Sequence, residues 1–342
     1  MNDPALLEVR GLRTYFSTRR GLVRALDGVD LTVDSGETVG VVGESGSGKT
    51  LTAYSVLGLL PQSARVVDGS ILFQGSELRG ADAEAMRRLR GSGISMVFQE
   101  PLTALNPVFP VGVQIRDVLR AHGAVPRKQL RGRVVELLRH VGIPAPDHAA
   151  AAYPFQLSGG MRQRVLIAMA IACSPRLLIA DEPTTALDAT VQAQILDLLR
   201  HLVEEDGISL ILITHNFGIV ADICQRIYVM YAGQVVEHGS VRSIFAAPRH
   251  PYTAALLHCI PVPGDDSSPL ATIEGSVPSL VEPSVGCRFA VRCPHAQSRC
   301  RAEIPSLRRV ADAHWAACHY AETLGLAGVP ACDTPSPVPA GD

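Results

Sequence analysis

The stretch ETVGVVGESGSGKT, residues 37–50, decides the fold of this chain. Its first half is apolar and predicts a buried strand, and the glycine-rich segment that follows predicts a loop. The next segment, LTAYSVLGLL, predicts a helix that continues to Pro61. The loop matches the pattern G-x-x-x-x-G-K-[ST] at all four fixed positions, which are Gly43, Gly48, Lys49 and Thr50.

The chemistry of this loop indicates a nucleoside triphosphate site. Glycines let the backbone fold so tightly that successive N–H groups point into one concavity, and the following helix adds its positive dipole end. In such a site Lys49 would neutralise the β- and γ-phosphates, and the Thr50 hydroxyl would ligate Mg²⁺. A ligand-free glycine turn is the alternative, and the strand-to-helix context disfavours it. The rest of the predicted cradle is Glu44, Ser45, Gly46 and Ser47.

The composition excludes several classes of protein. With 342 residues, of which 47% are hydrophobic, the chain is long enough for one large or two ordinary domains and is not a disordered sequence. A net charge of −2 excludes a globally basic nucleic-acid-binding protein. The longest apolar run, VLIAMAIAC at 165–173, is shorter than the roughly 18–20 residues of a transmembrane helix. The start, MNDPALLEVRG, lacks a secretory signal pattern, so we expect the protein in the cytosol.

Four further motifs follow the phosphate loop in a specific order. They are MVFQE at 96–100, LSGGMRQR at 157–164, LLIADEPTTALD at 177–188 and LILITH at 210–215. This order and spacing resemble the ATP-binding cassette (ABC) ATPases over about the first 260 residues. The resemblance implies an α/β P-loop NTPase fold: an ABC nucleotide-binding domain with a RecA-like core, a helical subdomain and N-terminal antiparallel β strands, followed here by a small cysteine-rich C-terminal extension. ATP and Mg²⁺ are the implied cofactors.

The resemblance also implies the catalytic residues. The apolar run LLIA predicts a buried strand that delivers Asp181 and Glu182 to its end. Asp181 would hold Mg²⁺ together with Thr50 and Gln99, and Glu182 would polarise the attacking water as general base. His215 would contact the γ-phosphate, and Gln99 would sense the metal and the water. For His215 alone, a strand-end histidine with a structural hydrogen bond is the alternative.

The segment LSGGMRQR explains why one chain would form half an active site. Ser158 is a good N-cap, and Gly159 and Gly160 leave the first amides of the predicted helix uncovered, which favours an anion. By resemblance, this end closes on ATP held by a second cassette, and Asp188 communicates between the two sites. Met161 departs from the glutamine of many family members. An ordinary buried helix that begins with a glycine turn is the alternative.

Four segments outside these motifs complete the predicted domain. LLEVRGLRTYF and ALDGVDLTV alternate as strands do, and RIYVMYAGQVVEHGS at 226–240 predicts a hairpin that turns at Ala232-Gly233. The resemblance places an adenine-stacking aromatic near the first of them, with Phe16 as first choice and Tyr15 as second. KQLRGRVVELLRHVGI predicts a helix with one apolar face that stops at Gly142. Its arginines favour a solvated face over a nucleic-acid contact, and by analogy this subdomain touches a membrane partner.

Two stretches resemble the cassettes of oligopeptide and dipeptide importers: FQEPLTALNPVF at 98–109 and APRHPYTAALLHCIP at 247–261. That group also includes relatives that move nickel or other small solutes. The resemblance implies a second, different cassette chain, two transmembrane permease subunits, an indirect solute-binding protein, and a location at the cytoplasmic face of the membrane. We expect a cassette at 5–262 with its helical subdomain at about 100–165, an extension at 263–325 after the linker PVPGDDSSP, and a disordered tail at 326–342.

Two functions of other classes are weaker alternatives. A soluble cassette ATPase that acts on DNA or ribosomes would typically carry coiled coils or tandem cassettes, whereas this chain has one set of motifs and no sustained heptads. A module that holds ATP without hydrolysis would not require Glu182 and His215. We therefore expect an ATPase with no nucleic-acid partner.

Four cysteines mark the extension: Cys287, Cys293, Cys300 and Cys318. Their spacing, C-x5-C-x6-C-x17-C, lacks the paired C-x2-C of structural zinc sites, and a reducing compartment favours metal over disulfides. By resemblance to importer cassettes that carry a cluster on four cysteines so arranged, we expect a [4Fe–4S] cluster. Zinc, with His295, His314 or His319, and unligated thiols are the alternatives. We expect Cys332 in the tail to be a free thiol.

Overall fold

A computed structural model describes residues 5–259, 273–278, 280–281 and 284–329 of the chain. The predicted linker at 261–269 and Cys332 lie outside these residues. The first residues of the predicted tail lie within them, and the Val329 N–H donates to the carbonyl of Phe245.

The N-terminal strands form an antiparallel sheet, as the sequence predicts. Strand β1 (Leu7–Thr18) lies between β2 (Gly21–Val33) and a later strand, β4, and the order of the sheet is β2-β1-β4-β5. The elements that follow β2 along the chain are β3 (Thr38–Val42), α1 (Lys49–Leu57), β4 (Ala64–Phe73) and β5 (Ser76–Glu77), the last strand of this sheet.

Helix α1 is shorter than the sequence predicts. It ends at Leu57 rather than at Pro61, because Gly58 adopts the left-handed conformation with φ of 61°. The Gly58 N–H then closes the last turn on the carbonyls of Tyr54 and Ser55. Glycine is the residue that takes this conformation at least cost, so it terminates the helix before proline is reached.

A mostly helical region follows β5. Its elements are α2 (Ala83–Leu89), β6 (Ile94–Val97), α3 (Pro101–Ala104), α4 (Val111–Ala121), α5 (Leu130–His140), α6 (Pro146–Ala151) and α7 (Gly159–Ile171). The predicted amphipathic helix is α5, and its apolar face is buried at Leu130, Val134, Leu137 and Leu138. Gly142 follows with φ of 73°, as expected for a helix stop.

The remaining elements complete a central eight-stranded sheet. They are β7 (Leu177–Asp181), α8 (Ala189–Glu204), β8 (Ser209–Thr214), α9 (Phe217–Ile223), β9 (Arg226–Tyr231), β10 (Gln234–Ser240), α10 (Val241–Ala246), α11 (Pro251–His258), α12 (Ser298–Ala302), β11 (Arg308–Ala311) and β12 (His314–Ala316). The strand order is β11-β12-β10-β9-β3-β8-β7-β6, and β9, β3, β8, β7 and β6 are parallel. Their carboxyl ends meet at one edge, where ligands bind in open α/β sheets.

Both faces of the parallel strands are buried. On β8, Ile211 and Ile213 belong to the core shared with the N-terminal sheet, whereas Leu210 and Leu212 belong to the core shared with the helices. Residues that alternate along a strand point to opposite faces, so a continuous apolar run is what a doubly covered strand requires.

The predicted hairpin at 226–240 is confirmed. Strands β9 and β10 pair antiparallel, and Ala232 and Gly233 between them have φ of 48° and 81°. A Cβ on Gly233 would lie 2.3 Å from the Ala25 carbonyl oxygen. The turn therefore needs glycine both for its backbone conformation and for its close approach to β2.

The C-terminal extension continues the central sheet. Its strand β12 pairs antiparallel with β10 through Glu237 opposite Ala316 and Gly239 opposite His314. The buried side chains of His314 and Glu237 are joined by a 2.7 Å hydrogen bond between Nε2 and Oε1. His314, a candidate zinc ligand in the sequence, is thus engaged by a carboxylate of β10.

Candidate functional site

The phosphate loop, residues 43–50, joins the end of β3 to α1. Gly43 has φ of 151°, and a Cβ there would lie 2.2 Å from the Met230 carbonyl oxygen. Gly48 has φ of 107°, and a Cβ there would lie 2.6 Å from the Leu26 side chain. These two positions exclude other residues, because both the backbone conformation and the available space require glycine. Gly46 also has a positive φ, of 77°.

Lys49 lies across the loop with its side chain buried. Its Nζ donates to the carbonyl oxygens of Gly43 at 2.7 Å and of Glu44 at 3.0 Å. Burial lowers the pKa of Lys49, and the carboxylates of Glu182, Asp181 and Glu44 oppose that shift. A buried cation held by backbone carbonyls is positioned to receive an anionic ligand in the loop.

Asp181, at the carboxyl end of β7, accepts a hydrogen bond from the Thr50 hydroxyl at 3.1 Å. Asp181 is only 2% exposed, and burial raises the pKa of its carboxyl group. The hydrogen bond from Thr50 and the charge of Lys49 oppose this shift, whereas the charge of Glu182 adds to it. A carboxylate and a hydroxyl are the hard oxygen ligands that Mg²⁺ prefers, so Thr50 and Asp181 fit the predicted metal.

The carboxylate of Glu182 contacts two of the other predicted catalytic side chains. Gln99 Nε2 donates to Oε2 at 3.1 Å, and His215 Nδ1 lies 3.2 Å from Oε1. Thr185 also donates to Oε2, at 2.9 Å, a contact that the sequence analysis missed. Burial by itself would raise the pKa of Glu182, but the hydrogen bonds from His215 and Thr185 outweigh it and the pKa is lowered. The structure therefore brings Glu182, Gln99 and His215, the predicted catalytic side chains, into contact.

The backbone of Glu182 carries a positive φ of 44°, and its N–H donates to the carbonyl of Ile213 on β8. This hydrogen bond links the end of β7 to β8 and fixes the backbone position from which the Glu182 side chain extends. A left-handed backbone at a residue other than glycine costs free energy and persists only where the surrounding structure holds it.

The segment at Ser158 lies at the start of α7 and packs on α8. Ser158 accepts a hydrogen bond from the Met161 N–H as N-cap, and a Cβ on Gly160 would lie 2.5 Å from Val191. Asp188 is likewise a cap, because its side chain accepts from the Val191 N–H at the start of α8. The contacts of this segment are thus with α7 and α8, and its role against a second cassette stays a prediction.

The two aromatic candidates for adenine differ in their surroundings. The Tyr15 hydroxyl donates to Asp27 at 3.1 Å, and the Arg24 guanidinium lies 5.7 Å from the centre of the Tyr15 ring. Phe16 pairs with Val23 in the N-terminal sheet and is partly buried. Neither arrangement tests adenine stacking, so the first choice of Phe16 stays a prediction.

Comparisons with known proteins agree with this geometry. The family described as ABC transporter matches residues 26–185, and the oligopeptide/dipeptide transporter C-terminal region matches residues 236–300. The dipeptide transport ATP-binding protein DppD of Escherichia coli is 47% identical, with coverage of 92% of this chain and 97% of its own. The oligopeptide transport ATP-binding protein AppD of Bacillus subtilis is 48% identical, with coverage of 88% and 92%. The chain belongs to the ABC transporter family.

The fold of this ABC protein has a solved counterpart. A dimeric ATP-binding cassette in a post-hydrolysis state, bound to ADP and Pi, superimposes with a TM-score of 0.62 at 28% identity. The likeness covers 69% of this chain and 99% of that one. Among the residues that the ABC chain's structure describes, no helix has the length and apolar character needed to cross a membrane.

The four cysteines of the ABC chain's extension converge on one pocket, whose lining also includes His295 and His319. Burial, together with the neighbouring Cys287 and Cys300, raises the pKa of the Cys318 thiol to about 11. Over the described part of the chain, however, no group of three or more histidine, cysteine, aspartate or glutamate side chains is arranged to hold a metal ion. The arrangement thus does not support the predicted cluster or its zinc alternative, although the thiols share one pocket.

Two side chains that lie far in sequence from the nucleotide motifs also reach the phosphate loop. Tyr252 accepts a hydrogen bond from the Glu44 N–H at 2.9 Å, and Arg292 forms an ion pair with the Glu44 carboxylate. No motif in the sequence identifies either contact, because the partners are separated by more than 200 residues. By contrast, Thr185 lies only three residues after Glu182, so its hydroxyl group could have suggested a hydrogen bond to the Glu182 carboxylate from the sequence.

Proposed function

We propose that this chain is the ATP-hydrolysing subunit of an ABC importer for dipeptides or oligopeptides. The observation that carries the ATPase assignment is the Glu182 carboxylate, which Gln99, Thr185 and His215 hold next to the Thr50–Asp181 pair. The peptide cargo is supported by the two transport proteins named above and by the C-terminal region match at 236–300. Nickel or another small solute is the alternative cargo.

The site residues divide the reaction between them. The amides of 43–50 and Lys49 would bind the β- and γ-phosphates. Thr50 and Asp181 would hold Mg²⁺, and the metal would supply positive charge against the charge that develops on the phosphates. Glu182 accepts a proton from water as the water oxygen attacks the γ-phosphorus and the bond to the β-phosphate oxygen breaks. His215 and Gln99 hold the Glu182 carboxylate in place. In the reaction His215 would contact the γ-phosphate, and Gln99 would sense the metal and the water.

We propose that the complete site forms between two cassettes. Ser158, Gly159 and Gly160 of one cassette would close on ATP bound by the loop of the other, and Asp188 would connect the two sites. The second cassette would be a different chain, two permease subunits would couple closure to transport, and a solute-binding protein would deliver cargo. This assembly places the chain at the cytoplasmic face of the membrane, with a cassette at 5–262, an extension at 263–325 and a tail after it.

The test uses the chain assembled with its permease partners. We expect Glu182→Gln to bind ATP with nearly wild-type affinity but to lose hydrolysis by about 100-fold or more, because the water loses its base while the phosphate loop is intact. Lys49→Ala should instead weaken ATP binding, because the phosphates lose their buried counter-charge. Lys128, an exposed lysine, provides the matched control, and Lys128→Ala should change neither property.

Wild-type hydrolysis by the Glu182→Gln assembly would contradict the ATPase mechanism. The cargo is tested separately by ATPase stimulation with the solute-binding protein and a dipeptide, an oligopeptide or Ni²⁺. Stimulation by Ni²⁺ alone would reject peptide import while the ATPase assignment stands.

We also propose that the four cysteines hold a [4Fe–4S] cluster. The proposal rests on the four thiols lining one pocket and on their number, since four thiolates are the ligands that such a cluster takes; in the described residues they are not arranged around a metal, so binding would require the side chains to rearrange. Protein purified without oxygen should then contain about four irons and four sulfides per chain. Colourless protein with one zinc per chain, or with no metal, would reject the cluster and leave the ATPase assignment untouched.

A further inference from the structure

Arg292 connects the C-terminal extension to the phosphate loop. Its side chain is 4% exposed, and its Nη1 and Nη2 donate to the two carboxylate oxygens of Glu44 at 2.7 and 2.9 Å. Nη1 also donates to the Tyr231 hydroxyl at 3.3 Å, whereas Nε and Nη2 donate to the carbonyls of Glu274 and Ile273. Only a guanidinium has the donors for this set of contacts, so lysine is not an equivalent residue here.

Glu44 is the second residue of the phosphate loop, and its backbone organises that loop. Its carbonyl oxygen accepts from the Lys49 ammonium at 3.0 Å and from the Ser47 N–H at 3.2 Å. Its N–H donates to the Tyr252 hydroxyl at 2.9 Å. A restraint on the Glu44 side chain therefore acts on the residue that supplies one of the two carbonyls holding Lys49.

The negative charge of Glu44 also affects the phosphate site, and the ion pair with Arg292 neutralises it. The Glu44 carboxylate lies close enough to Lys49 to contribute to that lysine's electrostatic environment. Without a partner it would compete with the phosphates for Lys49 and would repel them. Arg292 supplies a bidentate partner from outside the nucleotide motifs, which neutralises this carboxylate without occupying the loop.

We propose that Arg292 is a positioning residue for ATP binding, through which the C-terminal extension sets the nucleotide affinity of the phosphate loop. The inference rests on the proposed ATPase function. It goes beyond that function because it assigns the extension a direct part in nucleotide binding. The role is one of positioning, since Arg292 touches Glu44 rather than the nucleotide.

The test measures MgATP affinity of the full-length chain by calorimetry, and KM and kcat for ATP in the assembled transporter. We expect Arg292→Gln to raise the Kd and the KM for ATP by about tenfold or more, with kcat within about twofold. Arg292→Lys, which keeps the charge but loses the fork, should show a smaller increase. In the double variant Arg292→Gln/Glu44→Gln, the unpaired carboxylate is gone, so the Kd should return to within about threefold of the wild type.

Arg308→Gln is the matched control, because Arg308 pairs with Glu322 at 2.8 Å within the extension. This variant should leave the Kd for ATP unchanged. An unchanged Kd in Arg292→Gln, or a double variant no better than the single one, would overturn the inference. If Arg292→Gln fails to fold, Arg292→Lys decides: wild-type affinity in that folded variant overturns the inference as well. Failure of the wild-type chain to bind MgATP would instead overturn the proposed function.

Discussion

Asp181→Asn separates the cost of a buried carboxylate from its function. Asp181 is 2% exposed and accepts one hydrogen bond, from Thr50, which an asparagine oxygen can also accept. Because burial raises the folded pKa of Asp181 above its unfolded value, the folded state binds more protons between the two values and stability falls as pH rises through them. Above both pKa values the ionised carboxylate therefore destabilises the chain when no cation is bound.

We expect Asp181→Asn to raise the free energy of unfolding in Mg²⁺-free buffer by about 1 kcal/mol, the low end of the cost of an under-compensated buried charge. The loss of attraction to Lys49 keeps the gain small. The midpoint of thermal unfolding should rise by about 2 °C. Wild-type protein should gain about 2.7 kcal/mol when MgATP is present at 100 times its Kd, and the variant should lose the Mg²⁺-dependent part of this gain.

The assay is thermal and urea unfolding with and without MgATP, and with ATP plus a chelator. Asp197 is the matched control, because its side chain is 70% exposed and pairs with Arg200 on the surface of α8. Asp197→Asn should change stability by less than about 0.5 kcal/mol in every buffer. A less stable Asp181→Asn variant in Mg²⁺-free buffer would refute the reasoning from burial, and a full response to Mg²⁺ would refute the metal role.

Two further predictions follow from single positions. Gly160→Ala should lower the free energy of unfolding in urea by about 1–3 kcal/mol, because the new Cβ would lie 2.5 Å from Val191. Gly159→Ala should lower it by less than about 0.5 kcal/mol, because its Cβ would lie 3.5 Å from Leu187. Equal effects of the two variants would contradict this packing. Burial lowers the pKa of His250 to about 3, so the unfolded chain binds more protons below pH 6.5 and stability should be lost as pH falls from there. His250→Asn, which retains a side-chain cap on α11, should unfold with a shallower pH dependence, and an unchanged slope in denaturation curves would contradict this assignment.

Much of the fold and of the nucleotide site is predictable because the relevant signals are local. The phosphate loop, the strand before it and the turn at Ala232-Gly233 depend on short runs whose residue types restrict the backbone. Asp181 and Glu182 are predictable as strand-end residues because the apolar run before them requires a buried strand. The predicted length of α1 was wrong, because Gly58 adopts a left-handed backbone and ends the helix before Pro61.

The sequence by itself determined the cassette, its phosphate loop and the residues that converge at the ends of parallel strands. Tertiary structure alone decided that β12 extends the central sheet beside β10, and that Arg292 meets Glu44 across 248 residues of chain. The physical reason is that local patterns specify backbone conformation and burial, but they carry no information about which distant charge or strand edge satisfies a buried group. Those pairings depend on where the whole chain places its elements, and in this protein they bring the C-terminal extension to the phosphate loop.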